Sequence, residues 1–151
     1  MTIVEGLLAE HRVFLTLFDQ LEHALPKIKT VDEMRLLCRI LEGLLHNHGE
    51  AEDDLSCVAV DHVLKEHKRH LRFHHDHQEI DGHLKEVARI EDLHEARRRL
   101  TVFLEACRAH FRDEEQNLFP LVETAIRHET LLALGRAWRS QSSGVRLRWL
   151  S

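Results

Sequence analysis

MRLLCRILEGLLHNHGEAEDDL, residues 34–55, begins as an apolar-rich stretch and ends crowded with histidines and carboxylates. Met34, Leu37, Cys38, Leu41, Leu44, Leu45 and then Leu55 follow the period of an amphipathic helix. In the second half, two histidine–glutamate pairs at four-residue spacing compete for the core face, His46 with Glu50 and His48 with Glu52. Two residues turn a helix by about 200°, so the pairs face nearly opposite ways. Only His48 follows apolar residues at three, four and seven positions, namely Leu45, Leu44 and Leu41. The pattern predicts that His48 and Glu52 point into a core while His46, Glu50 and Asp54 face water.

The same periodicity, followed outward, yields further helices. Ile3, Leu7, Leu8, Phe14, Leu15, Phe18, Leu21 and Leu25 predict a helix over residues 3–25 that Pro26 ends. Thr30 with Glu33 forms a capping-box pattern ahead of the second helix, roughly residues 31–58. After a connection around the KEHKRH run, a third helix passes through Leu71, Phe73, Ile80, Leu84 and Val87 to about Arg89. Asp92 with Glu95 can cap a fourth, carried by Leu100, Phe103, Leu104, Cys107, Phe111, Leu118 and Phe119, which Pro120 should kink. Long helices with short connections predict an all-α fold, an up-down-up-down four-helix bundle with a short C-terminal helical tail. Residues 1–128 would form the bundle and 129–151 a helical extension of the same domain, with Trp138 folded back over it.

The totals agree with one such domain. The chain has 151 residues, and 26 acids against 21 bases leave no basic field to attract nucleic acid. Two prolines, six glycines and no tyrosine favour helix over sheet. No apolar run approaches the length of a membrane span. Cys38, Cys57 and Cys107 are odd in number and lack C-x-x-C spacing, which reads as buried, reduced thiols in a cytoplasmic protein. The 14 histidines are the exceptional feature.

Their placement points to metal chemistry. HFRDEE repeats the pattern of HGEAED: His110 and Glu114 stand four residues apart, after Cys107, Ala106 and Phe103. His11 and His77 share a second signature, each followed by apolar residues at three, seven and ten positions. Read along the chain, each helix contributes one inward set: His11, His48 with Glu52, His77, and His110 with Glu114. Imidazoles and carboxylates buried together cost several kcal/mol each unless something positive joins them. A mixed histidine and glutamate set favours a dinuclear site over structural zinc, with iron leading and manganese or zinc behind it. A lone His-x-x-x-Glu is ordinarily a surface pair; two of them on apolar stripes, interleaved with two inward histidines, are not. His23, His46, His62, His67, His75, His83, His94 and His128 read as solvated.

EH at 10–11, HGEAED at 48–53, HHDHQEI at 74–80 and HFRDEEQNLFP at 110–120 resemble the hemerythrin-like family, the HHE cation-binding domain. The resemblance covers about residues 5–128. It implies a four-helix bundle around a non-heme di-iron centre held by about five histidines and two bridging carboxylates. Carried over, the ligands become His11, His48, His77 and His110, with Glu52 and Glu114 as bridges. For the fifth histidine, Phe73 stands where hemerythrins proper have one; His74 is the nearest substitute, ahead of His70 and His75. Oxygen-carrying hemerythrins place an aspartate five residues after the last histidine, which here is Glu115, a rival to Glu114.

What the resemblance implies for function is O2 binding at two iron ions, one with an open position, the pair bridged by an oxo or hydroxo oxygen in the family pattern, serving carriage, sensing or handling of oxygen, peroxide or nitric oxide. Two other readings stand beside it. One is a di-iron enzyme for peroxide or nitric oxide, or for iron-cluster repair. The other is a regulatory or interaction module ordered by metal. The expected partners are O2 or related small ligands, with no nucleic acid and no membrane.

Overall fold

The computed structural model describes residues 1–60, 79–80 and 82–143, and among these every regular element is helical. Helix α1 spans Ile3–Ala24 and opens with a reciprocal capping box: Glu5 N–H donates to Thr2 Oγ1 (3.1 Å) and Thr2 N–H to Glu5 Oε2 (2.8 Å). Both orphan donors are thereby satisfied. A 3₁₀ turn, Leu25–Lys27, holds Pro26 in its first positions, where no N–H is needed. Helix α2 spans Val31–Val60. It starts at the expected capping box, with Glu33 N–H donating to Thr30 Oγ1 (3.2 Å) and Thr30 N–H to Glu33 Oε2 (3.1 Å). Residues 82–89 form α3. Helix α4, Leu93–Asp113, is capped by Asp92, whose carboxylate accepts from Glu95 N–H at 2.7 Å.

Beyond Asp113 the helix departs from the expected course. A π-helical turn, Glu114–Leu118, precedes helix α5, Phe119–Ala125, and Phe119 N–H donates to the Glu114 carbonyl five residues back. Pro120 therefore lies in the first turn of α5, where its missing donor costs nothing, and the irregularity begins ahead of the proline. Helix α6, His128–Ser143, follows.

Among the described residues, two apolar clusters fill the interior. The larger is built on Phe14, Phe18, Leu41, Leu84, Leu100, Leu104 and Phe111, the smaller on Ile3, Leu7, Leu55, Leu118, Phe119 and Leu131. Helix α1 passes from the smaller cluster at Leu7 to the larger at Phe14, and His11 falls between them. Helix α2 runs from the larger at Leu45 to the smaller at Ala51, and α4 with its π turn from Phe111 to Leu118. Among the described residues, the buried histidines and glutamates thus lie at the seam of two hydrophobic bodies. Arg108 fastens α4 to α1 from outside, donating to Glu22 Oε1 at 2.7 Å and Asp19 Oδ1 at 2.8 Å.

The tail packs more closely than its polar sequence suggests. Leu131 is buried and the Trp138 ring lies against Gly6 of α1, where an added Cβ would stand 2.7 Å from a ring carbon. Gly135 meets the start of α1 so closely that a Cβ there would lie 2.5 Å from the Met1 carbonyl oxygen. No described helix is long and apolar enough to cross a membrane.

Candidate metal centre

The seam holds the buried polar residues His11, His48, Glu52, His110 and Glu114. Helical spacing puts each pair on one face: His48 Nε2 lies 3.0 Å from Glu52 Oε1, and His110 Nε2 lies 2.9 Å from Glu114 Oε1. His11 stands between them, with Nε2 at 3.5 Å from Glu52 Oε1 and 3.4 Å from Glu114 Oε2. His11 and His48 face each other through their Nε2 atoms at 3.1 Å. Each glutamate therefore touches two histidines, in the order His48, Glu52, His11, Glu114, His110. Donor atoms of His11, His48, Glu52 and Glu114 all fall within 4.8 Å of one another.

Aromatic rings close this layer. Phe111 stacks on the His11 imidazole, with centroids 4.1 Å apart and planes 13° from parallel, and Phe119 stands 5.4 Å from it. Phe14 meets the His48 ring edge-on at 5.2 Å. In so dry a setting, burial by itself pulls the His11 pKa down, but hydrogen bonds to Glu114 and Glu52, the Glu52 charge and a hydrogen bond to Glu115 outweigh it and raise it to about 10. His48 follows the same balance: burial lowers it, the Glu52 charge and hydrogen bonds to Glu10 and Glu52 raise it, and it reaches about 9 although His11 opposes. In a metal-free chain, imidazole protons would answer part of the carboxylates' negative charge. Cations bound by these Nε2 atoms and glutamate oxygens would do the same, and imidazole nitrogens with carboxylate oxygens are donors that iron, manganese and zinc accept.

Residues 2–122 match the hemerythrin HHE cation-binding domain. The chain belongs to that family. No curated protein and no solved structure matches it. For this hemerythrin-like chain, the family and the histidine–glutamate cluster together make a metal-binding domain.

Of the ligands expected from the sequence, His11, His48, Glu52 and Glu114 converge directly, and His110 joins them through Glu114. His74 and His77, with the alternatives His70 and His75, lie outside the described residues, as do the KEHKRH run and the last residues of the tail. In the rival register, His46 Nε2 and Glu50 Oε1 form a 3.4 Å pair with 60% and 68% of their side-chain surface exposed. His23, His83, His94 and His128 are exposed as well. Two expectations about the stripes fail in detail. Leu44 and Ala106, four residues before His48 and His110, face outward, so the positions three and seven before carry the stripe. The wider four-residue step had drifted past the buried face.

Sequence reasoning missed Glu10 and the part played by Glu115. Glu10 Oε2 lies 2.7 Å from His48 Nδ1, and Glu115 Oε1 lies 2.9 Å from His11 Nδ1. The available signal was adjacency alone, since Glu10 precedes His11 and Glu115 follows Glu114. Cross-helix reach is invisible in a single periodic pattern.

Proposed function

We propose that this domain is a non-heme di-iron protein that binds O2, for carriage, sensing or handling of oxygen, peroxide or nitric oxide. Its ligands would be His11, His48, Glu52, His74, His77, His110 and Glu114, within an up-down-up-down four-helix bundle of residues 1–128 extended by helical residues 129–151. The observation that carries the reading is the convergence of His11, His48, Glu52 and Glu114 on one buried point, with each glutamate between two histidines. A carboxylate so placed can serve two ions, which a mononuclear structural site has no need of. The order in which α1, α2 and α4 visit the two apolar clusters supports antiparallel neighbours.

Iron supplies redox chemistry toward O2 and related small ligands when an open coordination position remains. The chain's own residues prepare the setting. Glu52 and Glu114 provide negative charge at the centre, His11 and His48 present Nε2, and Phe14, Phe111 and Phe119 exclude water from it. The Cys38 and Cys107 side chains are buried in the larger apolar cluster, in keeping with thiols of a reducing cytoplasmic setting.

Metal content by elemental analysis, with an optical spectrum before and after O2 and azide, tests the reading. About two irons per chain and a ligand-to-iron charge-transfer band are expected, as for metal pairs in bundle cores. About one zinc per chain with a featureless spectrum would overturn it.

A further inference from the structure

Each of two histidines at the centre has one ring nitrogen turned inward and the other turned to a carboxylate at the rim. His11 directs Nε2 to His48, Glu52 and Glu114, while its Nδ1 lies 2.9 Å from Glu115 Oε1. His48 directs Nε2 to Glu52, while its Nδ1 lies 2.7 Å from Glu10 Oε2. Glu10 and Glu115 keep 34% and 37% of their side-chain surface exposed, whereas the histidines keep 3% and 0%. Both carboxylates therefore reach inward from water to the outer edge of a buried ring.

We infer that Glu115 is a positioning residue and not a metal ligand: it holds the His11 Nδ1–H so that Nε2 is left to bind metal, as Glu10 does for His48. The inference rests on the metal-binding reading above. A neutral imidazole carries one N–H, and the nitrogen without it donates to metal. A carboxylate fixed at Nδ1 holds the proton there, prevents the ring from turning over and makes Nε2 more basic. Glu115 acts on the side of the imidazole away from the converged donors.

The π turn explains how two adjacent glutamates serve one histidine. In a regular helix, neighbouring side chains diverge by about 100°. Glu114 opens the widened turn and Glu115 lies within it, and they approach His11 at opposite ring nitrogens. A single-turn π bulge at a functional site is the common setting for this irregularity. It converts what looked from sequence like a choice between Glu114 and Glu115 into two separate tasks.

The test compares full-length wild type with Glu115→Ala, Glu115→Gln, Glu10→Ala and Glu114→Ala, measuring affinity and ions bound per chain for Fe(II) and Zn(II) by chelator competition. Glu115→Ala and Glu10→Ala should each weaken binding by roughly 10- to 100-fold without changing the number of ions bound. Glu115→Gln should recover most of the loss, because its amide oxygen can still accept from Nδ1–H. It also keeps the side chain's shape should the alanine variant fold poorly. Glu114→Ala should instead lower the number of ions bound. Loss of a bound ion in both Glu115 variants would make Glu115 a ligand and overturn the inference. Wild-type affinity in Glu115→Ala would overturn it as well. If wild type bound neither ion, the metal reading itself would fall, and the positioning role with it.

Discussion

Within seven residues, helix α2 carries two histidine–glutamate pairs of the same composition and spacing, and they live in different media. His46 and Glu50 lie 3.4 Å apart in water, and His48 and Glu52 lie 3.0 Å apart in a layer enclosed by aromatic rings. The first is a solvated contact whose attraction is screened and offset by the entropy of ordering two side chains. The second has lost its hydration, so its charges must be answered by His11, by protons or by metal. What separates them is two residues of helical phase, about 200°. Chemical identity does not make a site; the medium does.

The largest break in that comparison should come from truncating the glutamates. Glu52→Ala is expected to reduce metal affinity by more than the roughly 10- to 100-fold typical of losing an outer hydrogen-bond partner, and Glu50→Ala to leave it unchanged. Chelator competition with elemental analysis reads both; equal losses would erase the distinction. The apolar side of the same helix should show the next largest contrast. Leu41 is fully buried and Leu44 is 43% exposed, so Leu41→Ala should cost about 2–5 kcal/mol and Leu44→Ala within about 0.5 kcal/mol. Urea denaturation of both variants measures this.

The pH dependence sharpens the comparison further. His11 and His48 are raised from 6.5 to about 10 and about 9, so their contribution to metal-free stability is complete below pH 6.5 and is lost as pH climbs through 9 and 10. Thermal melting of the metal-free chain should fall over that window. The metal-loaded chain should hold its stability there and lose its metal on acidification, because ligand binding must displace protons. Flat melting across the window without metal would contradict the cluster's electrostatics. The smallest effect belongs to the surface pair. A double-mutant cycle on His46 and Glu50 should give no more than about 0.5 kcal/mol, falling with added salt.

Much of this was legible because helices are local. The capping box at Thr30 and Glu33, the Asp92 cap and the end of α1 near Pro26 depend on residues within four of one another, and each was readable from spacing. The choice of His48 over His46 was readable too, since Leu45 and Leu41 mark the buried face. Leu44 and Ala106 were misread because both lie one step past the edge of that face, where neighbouring helices decide exposure. The π turn is not legible from spacing, because Pro120 is the residue whose chemistry predicts a break, while the departure starts at Glu114. Close packing of α6 through Gly135 and Trp138 rests on contacts with Met1 and Gly6, more than a hundred residues away in the chain.

By itself, then, the sequence determined the helices Ile3–Ala24, Val31–Val60 and Leu93–Asp113, the caps at Thr30 and Asp92, the inward register of His11, His48 and His110 and the kinds of donor atom they offer, because each follows from periodicity and side-chain chemistry within a few turns. Only the tertiary structure decided that Glu52 and Glu114 each meet two histidines, and that Glu10 and Glu115 take the outer nitrogens. Those contacts join α1 to α2 and to the π turn. Distances between helices are set by how whole apolar faces pack, which no single stretch of sequence encodes.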